Sequence, residues 1–125
     1  MTEFEAAFVT FAQERADALL VPDDPVFING RKKLIELASL HAIPVMYGRR
    51  EFPVDGGLAS YGASAVDQYY QCGLYVGRIL AGAKPAELPW LQPSKFELVI
   101  NLRTANALGI KVPQTLLVAA NEVME

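Results

Sequence analysis

The chain has 125 residues with a formal net charge of −3, a length that fills one hydrophobic core and falls short of two full domains closing on a cleft. It is 52% hydrophobic and 20% charged, with a mean hydropathy of +0.21 and an isoelectric point near 5.2, a balance that excludes a disordered chain and argues against non-specific nucleic-acid binding, which needs a concentrated basic face. No apolar run approaches the ~18–20 residues of a membrane span, and a lone Cys72 and a lone His41 supply neither an internal disulfide nor a metal cage, so no metal and no cofactor is expected.

The opening Met1-Thr2-Glu3-Phe4-Glu5 is acidic and lacks the basic start and apolar stretch of a secretory leader; on that count alone the chain reads as cytoplasmic. Thr2 with Glu5 makes a capping-box pattern, and Phe4, Phe8, Phe11 and Arg15 recur at helical spacing, which predicts an amphipathic first helix. Ala18-Leu19-Leu20-Val21, closed by Pro22, reads as a buried strand of a parallel sheet. Asp23-Asp24-Pro25 is turn chemistry, followed by a second helix from about Asn29 to His41 with Leu34, Leu37 and Ala38 inward and Arg31, Lys32 and Lys33 outward. Ile43 to Tyr47 is the next strand, with Pro44 at its start. Helix, strand, helix, strand is the alternation of a doubly wound α/β sheet.

Gly48 to Gly57 reads as irregular, with a helical turn around Arg50-Glu51-Phe52; Leu58 to Tyr61 reads as a short third strand ended by Gly62. The longest predicted helix runs from Ser64 to Leu80, with an inward stripe of Val66, Tyr70, Leu74 and Gly77. Each interior glycine costs a helix about 1 kcal/mol against alanine, so Gly73 and Gly77 are expected at a close-packed contact. A proline-containing connector through Pro93 leads to a strand at Phe96–Asn101, then a short helix around Leu102 to Leu108 stopping at Gly109, a C′ position. The remaining tail is expected to be helical to its end.

The chemistry-bearing residues are few. Gly56, Gly57 and Gly62 lack both the Lys-Ser/Thr end of a phosphate-binding loop and the spacing of a dinucleotide fingerprint, so they read as turns. Neither Ser60 nor Ser64 sits in a nucleophile elbow, His41 reads as a helix C-terminal residue favoured by the dipole, and Cys72 reads as a small buried hydrophobe. Asp23 and Asp24 follow a strand, where α/β sheets place their ligands. A carboxylate there holds an ammonium group through charge-assisted hydrogen bonds, or else serves the turn and the following helix start. Ser60-Tyr61-Gly62, read as ending a strand and opening a helix, would offer N–H groups to a ligand carboxylate or simply cap the helix. The two ends together would suit a zwitterion such as an amino acid.

Six stretches occur in an order that resembles one family: Ala18 to Pro25; Ile43 to Tyr47 running into Arg50-Glu51-Phe52; Gly56 to Gly62; Gly82 to Pro89; Phe96 to Leu102; and Ala107 to Ile110. The chain resembles the C-terminal part of the ABC-transporter substrate-binding proteins of the tryptophan/tyrosine-binding type, which have a type I periplasmic-binding-protein fold. The resemblance implies a three-layer, doubly wound, mostly parallel α/β sheet forming a partial lobe. It implies that 1–62 belongs to the second ligand-binding lobe, that 63–95 is a helix and connector that packs on the first lobe, and that 96–125 returns to the second. Asp24 matches the family's Asp after the lobe-two strand, which holds a substrate amino group. Asp23, Glu51 and Tyr61 match positions beside it or near the cleft and hinge, and Pro25 stands where Asn is often found.

What the resemblance implies for function is a binding module and not an enzyme: a solute-binding fragment that takes a small ligand such as an amino acid, closes on it and delivers it to an ABC permease. Its members are periplasmic or lipid-anchored outside the cell, and are longer, so most of a first lobe and an export signal are expected to be missing here. The alternative is an intracellular receiver-like regulatory α/β domain acting through oligomerisation, although Asn101 and Arg103 stand where a receiver needs a lysine. A fragment that no longer binds is a third reading. Tyr69, Tyr70, Leu74, Tyr75, Val76, Ile79 and Leu80 put much apolar surface on one helix, so a homo-oligomer, formed by exchange of that helix or of the C-terminal strand, is expected.

Overall fold

A computed structural model describes residues 2–125. It resolves into two compact units, one of residues 2–62 with 97–125 and the other of residues 63–96.

The first unit begins with α1, Glu3–Gln13, closed by the expected capping box: the Thr2 N–H donates to Glu5 Oε2 at 2.7 Å and the Glu5 N–H to Thr2 Oγ1 at 3.3 Å. Those bonds, with Lys33 beside them, hold the Glu5 carboxyl down to about 2. Phe8 is buried and Phe4 and Phe11 pack at its flanks. Arg15 is not on this face: the helix has already ended, and Arg15 turns into the left-handed region at φ 55°. Strand β1, Leu19–Val21, follows, and Asp24-Pro25 then opens a short helix α2, Pro25–Asn29, separate from α3, Arg31–Leu40. The single second helix expected from about Asn29 is thus two, because an Asp cap with Pro at the first helical position starts helix earlier than apolar spacing reveals. Leu34, Leu37 and Ala38 are buried as expected.

Strand β2 is Val45–Tyr47, helix α4 is Glu51–Val54, and β3 is Ala59–Ala63. Strand β4, Phe96–Asn101, precedes helices α6, Leu102–Ala107, and α7, Gln114–Ala119, and strand β5, Glu122–Met124, closes the chain; α5 lies in the second unit. The five strands lie in the order β1-β2-β3-β4-β5. β1 runs parallel to β2, β2 to β3 and β4 to β5. Between β3 and β4, Ser64 donates to the Lys95 carbonyl and Asn101 to the Leu58 carbonyl; partner numbers that fall as the chain advances make that pair antiparallel. The mostly parallel α/β sheet is the fold class that the sequence implies.

Two expectations fail here. β3 does not stop at Gly62 but runs through it to Ala63. The tail is not helical to its end: Asn121 and Leu98 exchange two bonds, Asn121 N–H to the Leu98 carbonyl at 2.8 Å and Leu98 N–H to Asn121 Oδ1 at 2.9 Å, and this pairing recruits the last residues into the sheet. Arg50 then pairs with Glu122 at 2.6 Å.

The core lies on one face of β1 and β2. Val45 and Tyr47 are buried there with Phe8, Leu34, Leu37, Ala38, Ile43 and Phe52, while Leu20 and Met46, which alternate with them, are exposed on the opposite face. Tyr47 and Phe52 stack with ring centroids 4.2 Å apart. Burial pushes the Tyr47 hydroxyl up to about 12. Ala59 in β3, Val99 and Ile100 in β4, and Ala105 in α6 are buried as well.

In the second unit, Ser64 caps α5, Ala65–Leu80, through the Asp67 N–H, and Lys95 pairs with Asp67 at 2.8 Å. The Tyr75 hydroxyl donates to the Pro89 carbonyl at 2.6 Å, tying the connector to the helix. No α5 residue is buried: Val66, Tyr70 and Leu74, expected to face inward, are all exposed. Cys72 is exposed, not buried, and nothing lies within 4 Å of a Cβ at Gly73 or Gly77, so neither glycine marks a close contact here.

Gly62 differs. A Cβ there would overlap the Gly48 carbonyl, across the β2–β3 pairing. Gly62→Ala is expected to lower stability by about 1–3 kcal/mol through forced backbone displacement. Gly73→Ala and Gly77→Ala are expected to raise it by about 0.5–1 kcal/mol through helix propensity. Urea denaturation followed by circular dichroism separates the two signs.

Candidate functional site

The register of the parallel strands decides what gathers at one edge. Val21 lies opposite Tyr47, and Tyr47 opposite Ser60. The residues that follow these three, Pro22 to Asp24, Gly48 to Glu51 and Tyr61 to Gly62, therefore emerge together at the carboxyl edge. This edge is where open α/β sheets hold ligands. Close approach is built in by glycine: a Cβ at Gly48 would lie 2.7 Å from the Asp23 nitrogen, and the Gly48 N–H bonds the Val21 carbonyl at 2.9 Å.

Three of the four sequence-derived candidates carry charge, and two share a partner. Arg49, with a side chain only 19% exposed, donates from Nη2 to Glu51 Oε1 at 2.9 Å and from Nε to Glu51 Oε2 at 3.3 Å, a two-pronged contact. Its Nη1 lies 3.5 Å from Asp23 Oδ2. The Arg49 bond holds the Glu51 carboxyl below the ordinary range, and Glu51 in turn, with Asp23 behind it, pushes the Arg49 guanidinium up. Asp24 is engaged differently. Its Oδ1 accepts from the Val26 N–H at 2.8 Å as the cap of α2, so the helix-start role considered from sequence is real for this residue. Tyr61 stands one residue beyond the Tyr47–Ser60 pair with more than half its surface exposed. The expectation that Tyr61 and Gly62 open a helix is corrected: both are strand residues, and α5 starts at Ala65 behind its Ser64 cap.

Arg49 is the residue that sequence reasoning missed. Its signal is a basic side chain two positions past a strand and two before an acid, outside the helical turn that the sequence predicts around Arg50-Glu51-Phe52. Asp23, Asp24 and Glu51 stand with Arg49, and Arg50 in the same segment is balanced by Glu122, so carboxylates outnumber guanidiniums and the edge is net negative. An edge of that sign attracts a ligand's cationic end. Among the described residues no group of three or more His, Cys, Asp or Glu is placed to hold a metal ion.

The α/β architecture is a partial lobe of the periplasmic-binding-protein type. The family profile of the ABC transporter substrate binding proteins matches residues 2–124, and the chain belongs to that family. Among solved structures, an ABC domain from Streptococcus pneumonia in complex with L-Trp is 28% identical with a TM-score of 0.89; the match covers 98% of this chain and 41% of that one. A conserved domain protein from Vibrio cholerae is 26% identical with a TM-score of 0.88, over 97% of this chain and 40% of that one. The ligand-free, open structure of a substrate binding protein with adhesive properties from Clostridium difficile shares the fold, with a TM-score of 0.66 and 20% identity, over all of this chain and 42% of that one. The chain thus spans about two fifths of the length of these proteins. No curated protein matches the sequence.

A carboxyl held below its ordinary value binds fewer protons folded than unfolded. The Arg49–Glu51 pairing therefore stabilises above 4.5, the ordinary Glu value, and its contribution fades as pH falls through the lower folded-state value. Glu51→Gln is expected to cost up to about 1 kcal/mol at neutral pH, discounted because the Glu51 side chain is 40% exposed to screening water. The gap to wild type is expected to narrow below pH 4.5 in urea titrations run across that range.

Proposed function

We propose that this chain is the C-terminal, solute-binding part of an ABC importer's substrate-binding protein, taking a small ligand with an ammonium group, such as an amino acid. The observation that carries the reading is the family match over residues 2–124, and the relative solved with L-Trp supports an amino-acid ligand. The role is binding, with no bond made or broken in the ligand. Asp24 and Asp23 receive the ammonium group, Glu51 lends negative charge to the edge, and Tyr61 lies against the ligand's side chain. Residues 1–62 and 96–125 belong to the second lobe, whereas 63–95 packs on the first. Ligand binding stabilises the closed arrangement of lobes, which an ABC permease then recognises. The working location is outside the cytoplasm, in the periplasm or on a lipid anchor. No described helix is long and apolar enough to cross a membrane.

Asp24 both caps α2 and, on this reading, binds ligand, so its two roles need separating. Asp24→Ser retains a good capping residue and removes the charge. Its stability is expected to stay within about 0.5 kcal/mol of wild type, while affinity in a calorimetric or NMR amino-acid panel falls at least about tenfold. Wild-type binding to no member of the panel, or equal binding by Asp24→Ser, overturns the assignment.

Self-association is the second proposed property. A 16-residue helix with no buried residue carries Tyr69 at 74% and Leu80 at 83% exposure, beside a fully exposed Trp90. Such a surface in one patch is covered in stable proteins, and a second copy of the chain supplies a matching one. Light scattering after size exclusion is expected to give a dimer or larger; a monodisperse monomer at high concentration refutes it.

A further inference from the structure

The carboxylates at the strand edge are not held alike. Glu51 receives two bonds from Arg49, one at 2.9 Å and one at 3.3 Å. Asp24 has one oxygen committed to a backbone N–H. Asp23 is approached by Arg49 only at 3.5 Å, while its backbone passes close beside Gly48. The guanidinium fork therefore belongs to Glu51, and its third nitrogen merely leans on Asp23. A cation that could form a shorter bond to Asp23 would displace that contact without disturbing the Arg49–Glu51 pair.

We propose that Arg49 is the positioning residue of this edge: clamped to Glu51, it stands in for the ligand's cation beside Asp23 and holds that carboxylate where an ammonium group takes it over. This rests on the solute-binding reading above. Two consequences separate it from a merely structural ion pair. Asp23 is the carboxylate that changes partner when ligand arrives, while Glu51 keeps Arg49. The geometry of the fork matters as well as its charge, since a lysine ammonium cannot grip Glu51 with two nitrogens and still reach Asp23.

The test uses the whole chain labelled with carbon-13 and titrated with L-tryptophan, with indole-3-propionate as a probe that keeps the ring and carboxylate but lacks the ammonium. In wild type the Asp23 carboxylate signal is expected to shift on adding L-tryptophan and to stay still with indole-3-propionate, and Glu51 is expected to move little. Arg49→Gln is expected to weaken L-tryptophan binding about tenfold and to return the Glu51 titration to the ordinary range. Arg49→Lys, which keeps the charge and serves if the glutamine variant does not fold, is expected to bind about threefold more weakly than wild type. Wild-type affinity in either variant, or an unmoved Asp23 signal while wild type binds, overturns the role of Arg49 and leaves solute binding standing. Wild type that binds neither L-tryptophan nor any other amino acid overturns both.

Discussion

Strand β2 and the stack of Tyr47 on Phe52 are what the rest of the first unit depends on. Val45 and Tyr47 face a core built by α1 and α3, and the ring of Phe52 lies against Tyr47 with an interplanar angle of 13°. Phe52 sits in α4 directly after Glu51. Burying one aromatic pair therefore sets both the helix packing on the sheet and the position of an acidic side chain at the strand edge. Aromatic stacking adds only about 0.5–1.5 kcal/mol beyond burial, so its weight here is geometric: it decides where the turn after β2 goes.

That turn brings charge to the edge in a particular balance. Parallel pairing alone would deliver Asp23, Asp24, Gly48 and Tyr61 to the same side of the sheet. Arg49 stands between two of these carboxylates, Glu51 and Asp23, and offsets their mutual repulsion. The guanidinium is the most secluded of the charged groups there, and its two carboxylate partners reach out to solvent. A secluded cation with more exposed anions leaves a surface whose outward sign is negative.

The two units differ in how far they satisfy themselves. In the first, helices bury one face of the sheet and the last strand is captured by reciprocal bonds between Asn121 and Leu98. In the second, α5 keeps its own capping and its ties to the connector, yet buries none of its apolar side chains. The imbalance has a physical reason: hydrogen bonds form between near neighbours in the chain, whereas an apolar helix face is covered only when another element packs on it.

The sequence by itself determined the α/β class, the capping box at Thr2 and Glu5, the buried faces of α1 and α3, and the edge on which Asp23 and Asp24 appear. These depend on short-range periodicity and on chemistry within a few residues. Only tertiary structure decided the rest. β5 exists because Asn121 meets Leu98 across 23 residues, a pairing that no local pattern encodes, so the tail read as helix. β3 passes through Gly62 because neighbouring strands need the space a side chain would take, so a residue that looks like a terminator serves as a spacer. Cys72 is exposed because burial depends on what packs against a helix, which its own sequence does not contain. Arg49 was legible as a charge and not as a partner. Its role depends on where Tyr47 and Phe52 fold the chain, and on the strand register that sets Asp23 beside it.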